Sequence, residues 1–142
     1  MRHDAVFITQ HKFYLQRVGD QPRTQLKGWR GRIGVIYPSD GWLDDEFSLF
    51  VPRGVSAHVT RTGANESELR AIGYAEDGQL ELIEAAAREL ACVWKPNCIA
   101  FACTSGSFSK GKGYDREIAR KITNAAGTSA TTAANASVEA LK

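Results

Sequence analysis

Short apolar runs alternate with amphipathic stretches along most of the chain. Residues 32–37, Arg-Ile-Gly-Val-Ile-Tyr, and 99–102, Ile-Ala-Phe-Ala, lack polar alternation, which marks strands buried on both faces. Residues 55–61 are rich in β-branched side chains and read as a further strand, and 128–131 as a short fourth one. Between them, Ile83, Ala86, Ala87, Leu90, Val93 and Trp94 recur every three or four residues, with Glu81, Glu84, Arg88 and Glu89 mostly opposite. That spacing predicts a helix over 79–94, stopped by Pro96. Ile118, Ala119 and Ile122 give a second helix over 115–125, ended at Gly127, and a third opens over 133–141. Asp44, Asp45 and Glu46 open a shorter helix through about residue 50, because acids favour the positive end of the helix dipole.

Two segments carry little pattern. Residues 1–28 hold only short apolar patches, broken by Gly19-Asp20-Gln21-Pro22, and read as a basic extension to an α/β domain over 29–142. Residues 62–77 are polar, with at most one helical turn at 66–71.

Strand and helix alternate four times, and that order implies a parallel sheet with helices on both faces joined by right-handed crossovers. The expected fold class is α/β with a flavodoxin-like parallel sheet of order 2-1-3-4. In that order the connections after the first and third strands leave in opposite directions, and ligands bind outside the carboxyl ends of strands at such a switch point. Pro38-Ser39-Asp40 is thereby expected beside Cys103-Thr104-Ser105.

The second of these loops carries the candidate chemistry. A buried strand ends in a thiol, Cys103, followed by Thr104, Ser105, Gly106 and Ser107. A glycine turn there would let backbone N–H groups converge ahead of the following helix, favouring an anion and the thiolate form of Cys103. His58 lies within a strand and reads as a packed or hydrogen-bonded residue, and Cys92 as an inert thiol near a helix end. Gly106 to Gly113 matches the opening of a phosphate-binding P-loop, G-x-x-x-x-G-K, but Gly113 stands where the magnesium-binding Ser or Thr belongs. Lys110 and Lys112 therefore read as a solvated rim.

Composition narrows the class. With 142 residues and 43% hydrophobic content the chain suits one domain with its own core. A net charge of +2 does not argue for nucleic acid. Six Lys and Arg face two Asp in residues 1–30, so the remainder is slightly acidic. No apolar span is long enough for a membrane helix. Three cysteines without metal-like spacing, and His3, His11 and His58 away from them, fit a reduced, cytoplasmic, metal-free protein.

Four stretches then share a resemblance. Gly28-Trp29-Arg30 with Arg32-Ile33-Gly34-x-Ile36-x-Pro38-Ser39, Gly54-Val55-Ser56-x-His58-x-Thr60-Arg61, Ala102-Cys103-Thr104-Ser105-Gly106-Ser107, and Thr131-Thr132 with Ala140-Leu141 resemble, in order and spacing, the maleate cis-trans isomerase and arylmalonate decarboxylase group of the aspartate/glutamate racemase superfamily. The resemblance implies cofactor-independent chemistry on a small carboxylic acid, in a cleft between two similar α/β halves that can each supply a cysteine. It implies Cys103 as the catalytic residue, with Thr104, Ser105, Pro38, Ser39 and Thr132 binding substrate; a half-fold that exposes the surface meant for its other half is expected to associate as a homo-oligomer. A cysteine at 103 tilts the expectation toward isomerases, because the decarboxylases typically carry glycine there. Asp40-Gly41 departs from the Ser-Asn usual in such isomerases and bears on substrate identity. Proteins of this group run to about twice this length, so the chain is expected to correspond to the first half of the fold.

Overall fold

The computed structural model describes residues 28–39, 41, 44–63 and 78–142. Residues 1–27 of the basic extension, the helical turn expected at 66–71 and Asp40 lie outside the described residues.

The elements run β1 (Gly31–Tyr37), α1 (Asp44–Phe50), β2 (Val55–Arg61), α2 (Gly78–Trp94), β3 (Cys98–Phe101), α3 (Thr104–Phe108), α4 (Tyr114–Ala126), β4 (Ser129–Thr132) and α5 (Ala133–Ala140). The sheet order is β2-β1-β3-β4, and every pairing is parallel. One element departs from the sequence reading: residues 104–108 form a short helix, α3, where a glycine turn was expected.

Period and register explain the layers. Gly34 faces α2, since a Cβ there would meet Leu90 and Pro96. Tyr37, on the opposite face of β1, packs edge-on against Phe47 of α1 with ring centroids 5.4 Å apart. Helices therefore cover both faces, as opposite steps from β1 to β2 and from β2 back to β3 require when crossovers are right-handed. The core lies on the α2 and α4 face. Ile36, Ile83, Ile99, Ile118 and Ile122 are fully buried there, and Phe101 almost so. Each such side chain stabilises the fold by about 1.5–3 kcal/mol relative to exposure.

Asn97 fixes where β3 enters the sheet. Its Oδ1 accepts the Arg32 N–H at 2.8 Å and its own N–H donates to the Arg32 carbonyl at 2.8 Å. Its carbonyl accepts the Thr128 hydroxyl at 2.9 Å, tying the start of β4 to the same residue. That anchoring sets Phe101 opposite both Ile36 and Thr132, and so sets which residues leave the sheet together.

Candidate functional site

The carboxyl ends of β1 and β3 lie side by side. Phe101 pairs with Ile36, and the Ala102 N–H donates to the Ile36 carbonyl at 2.9 Å. Beyond that bond the two chains leave on adjacent strands, spaced about 4.8 Å apart in a sheet. Cys103 and Pro38 thus flank the point where connections part toward opposite faces, the switch point expected from the order of elements.

Cys103 caps α3. Its backbone is extended (φ −136°, ψ 106°), and Sγ accepts the Gly106 N–H at 3.3 Å. The Cys103 carbonyl accepts the Ser107 N–H at 3.0 Å and the Ser107 hydroxyl at 2.6 Å, so Ser107 clamps the turn from inside. Ser105 Oγ stands 3.6 Å from Sγ. Cys103 is 8% exposed, whereas the side chains of Thr104 and Ser105 are exposed. The sequence reading had backbone N–H groups converging on an outside anion. Instead the Gly106 N–H points to the thiol sulfur and the Ser107 N–H to the Cys103 carbonyl. The physical reason is that residues 104–108 complete a helical turn, and a turn needs its first donors capped.

Gly106 sits in a crowded spot. A Cβ there would lie 3.0 Å from Cys103 Sγ, 2.9 Å from Gln79 Nε2 and 3.2 Å from Phe101 Cε1. The thiol, the Gln79 amide and the end of β3 therefore crowd around one point.

The β1 side of the site is held by β2. Arg61 Nη1 donates to the Pro38 carbonyl at 2.9 Å and to the Gly41 carbonyl at 2.5 Å, while its guanidinium lies 5.4 Å from the Tyr37 ring centre. Ser39 Oγ donates to the Thr62 carbonyl, and the Thr62 N–H returns to the Tyr37 carbonyl at 3.0 Å. Residues 38, 39 and 41 are thereby stapled to the end of β2.

Thr132 occupies the same edge one strand further out, opposite Phe101. It is fully buried, and Oγ1 accepts the Asn135 N–H at 3.2 Å as the cap of α5. The structure therefore gathers Cys103, Thr104, Ser105, Pro38 and Ser39 at one edge, with Thr132 buried at the end of the adjacent strand.

His58 lies within β2, level with Gly34, and its Nε2 is 2.8 Å from Ser56 Oγ. Burial first, and then the positive charge of Arg32, hold its pKa below the ordinary 6.5. The P-loop-like glycines have a conformational explanation. Gly111 (φ 80°) and Gly113 (φ 96°) carry the chain through left-handed backbone between α3 and α4. A groove of about 690 Å³ opens there, lined by Phe108, Lys112, Arg116, Asn135, Val138 and Glu139 among others, and Cys103 is not part of its lining. Among the described residues no group of three or more His, Cys, Asp or Glu is placed to hold a metal. None of the described helices is long and apolar enough to cross a membrane.

The sequence reading passed over Arg61, Gln79 and Tyr114. Arg61 had a usable signal, since it is a cation at the carboxyl end of the strand next to β1. Gln79 and Tyr114 had none: they meet through a 35-residue separation, with Tyr114 Oη donating to Gln79 Oε1 at 3.4 Å.

These features define a parallel α/β domain whose thiol sits at the topological switch point. Solved structures share the fold. A glycine-to-cysteine mutant of arylmalonate decarboxylase in a sulfate-associated form superposes with a TM-score of 0.63 at 23% identity, over 78% of this chain and 45% of that one. The maleate isomerase Iso from Pseudomonas putida gives a TM-score of 0.56 at 23% identity, over 78% and 48%. A cysteine-to-alanine variant of that isomerase with maleate gives 0.58 at 22% identity, over 78% and 48%. They come from the two kinds of enzyme, a maleate isomerase and an arylmalonate decarboxylase, that the sequence motifs resemble. The chain spans about half the length of these neighbours. No family model matches the chain, and no curated protein matches it.

Proposed function

We propose that this protein is a cofactor-independent, cysteine-based isomerase of a small dicarboxylic acid such as maleate. The observation that carries the reading is the place of Cys103: a thiol at the switch point, its sulfur accepting the Gly106 N–H. The fold shared with maleate isomerase Iso supports it.

In the proposed reaction the Cys103 thiolate adds to one carbon of the double bond, forming a C–S bond. The displaced π pair moves to the neighbouring carbon and spreads into its carboxylate. The central bond is then single and rotates. The pair returns to restore the double bond, the C–S bond breaks, and the trans acid leaves with the thiolate regenerated. In this reading the exposed Thr104 and Ser105 hydroxyls, with the neighbouring Pro38-Ser39 rim, receive the substrate carboxylates. Thr132 enters this scheme by capping α5 at the end of β4, the strand beside β3.

The likeness to arylmalonate decarboxylase supports a second reading, in which the thiol carries a proton to a planar enediolate. Turnover of maleate separates the two. Cys103→Ala should lower isomerisation by roughly 10³-fold or more, as expected when a nucleophile is lost. Full activity in that variant would remove the isomerase reading and leave a carboxylate-binding site. Wild-type protein that exchanges or adds protons without converting maleate would favour the second reading.

A further inference from the structure

The groove between the α3–α4 loop and α5 takes no part in the proposed chemistry. Its apolar lining includes Phe108 at the end of α3, 56% exposed, and Val138 on α5, 54% exposed. Leu141, 88% exposed, follows at the end of α5, next in the chain to the lining residue Lys142. Exposed apolar side chains scattered singly need no explanation, but three gathered around one concave surface mark a docking site. The two walls of the groove also carry charge. The loop and the first turn of α4 present Lys112, Asp115 and Arg116, and α5 presents Glu139 and Lys142. Among the described residues Lys112 and Arg116 have no ion-pair partner. Glu139 holds Lys142 at 2.6 Å, but that pair is open to solvent and contributes little.

We propose that this groove is the surface on which a second copy of the chain docks, related to the first by a two-fold axis. In such a contact each wall meets the opposite wall of the other copy. Lys112 and Arg116 of one copy then face Glu139 of the other, and Asp115 faces Lys142. The Phe108 and Val138 side chains close between them and exclude water. Charge selects this occupant. A nucleic acid or an anionic membrane would meet Asp115 and Glu139 as like charges, whereas a second copy supplies a cation for each. Length agrees with it, since the chain covers 45–48% of its structural neighbours and two copies amount to about one such chain. The groove also adjoins the candidate site: α3, which Phe108 ends, is capped by Cys103, and α5 is capped by Thr132. A copy docked here rests on both helices.

The test is sedimentation equilibrium of the chain and its variants over about 1–100 μM. Wild type should reach a mass twice the 15.5 kDa of one chain. Glu139→Lys, and separately Lys112→Glu combined with Arg116→Glu, set like charges on facing walls, and each should weaken the dimer by roughly tenfold or more. Mixed in equal amounts, the two variants have opposite charges at both contacts of the two-fold pair. They should form a mixed dimer of near wild-type affinity. Val138→Glu puts a charge into the apolar contact and should weaken the dimer likewise. All four positions are exposed, so far-UV circular dichroism should match wild type and separate a lost dimer from a lost fold. A monomeric wild type would overturn the assignment. So would a dimer indifferent to the reversals and to Val138→Glu, or reversed variants that stay monomeric when mixed. Association involves no chemical step, so this interface and the isomerase reading fail separately.

Discussion

Cys103 meets a structural and a chemical demand with one side chain. As the cap of α3 it takes the Gly106 N–H, a task usually left to Ser, Thr, Asp or Asn. Exposure separates the three cysteines differently: Cys92 is exposed, Cys98 half-buried and Cys103 buried. Labelling by a bulky thiol reagent therefore reports Cys92, and only a small one reports the site. His58 gives a second prediction at this scale. Because burial and Arg32 lower its folded pKa, the folded chain binds fewer protons than the unfolded chain just below pH 6.5. The stability linked to neutral His58 is present above that value and is lost as pH falls through the lower folded pKa. Urea midpoints measured at pH 7.5 and pH 5 should fall further for wild type than for His58→Gln. An equal fall in both would show that His58 contributes nothing to the acid limb.

The elements were legible because each is written in local pattern. The unbroken apolar runs of β1 and β3, the three-and-four spacing of Ile83, Ala86, Ala87 and Leu90, and the stop at Pro96 all act over a few residues. α3 was not legible, because Thr-Ser-Gly-Ser reads as turn chemistry until Cys103 and Ser107 close a helical turn around it. The junction after α2 shows a local cost that the pattern hides. Lys95 has a φ of 43°, left-handed backbone that ordinary residues enter at about 1–2 kcal/mol, immediately before Pro96. Lys95→Gly would remove that strain while adding about 0.5–1 kcal/mol of unfolded-chain entropy to be lost. The net expectation is a gain of about 0.5–1 kcal/mol in urea unfolding. A destabilised Lys95→Gly variant would mean that the lysine side chain makes a compensating interaction.

On the scale of the whole molecule, topology made the site partly readable. Alternating strands and helices, with right-handed crossovers, bring residues 38–39 next to residues 103–105 although 65 positions separate Ser39 from Thr104. The order of the sheet is enough to predict that meeting. The side chains that finish the site obey no such rule. Arg61, at the carboxyl end of the strand beside β1, could have been read from that position, but Gln79 meeting Tyr114 near the thiol depends on how α2 and α4 settle on the sheet, which no window of sequence encodes. Thr132 shows the converse: its position was readable from the fourth strand, but not its burial as the cap of α5.

The central claim is that the Cys103 sulfur bonds transiently to carbon. It is tested most directly by quenching the protein in acid during turnover of maleate and mapping the adduct by peptide mass spectrometry. The account predicts a mass gain of one maleic acid on the peptide carrying Cys103, present in a Cys92→Ser background and absent in Cys103→Ala. Steady isomerisation with no adduct on Cys103, or an adduct confined to Cys92 or Cys98 while Cys103→Ala still turns over, would contradict it.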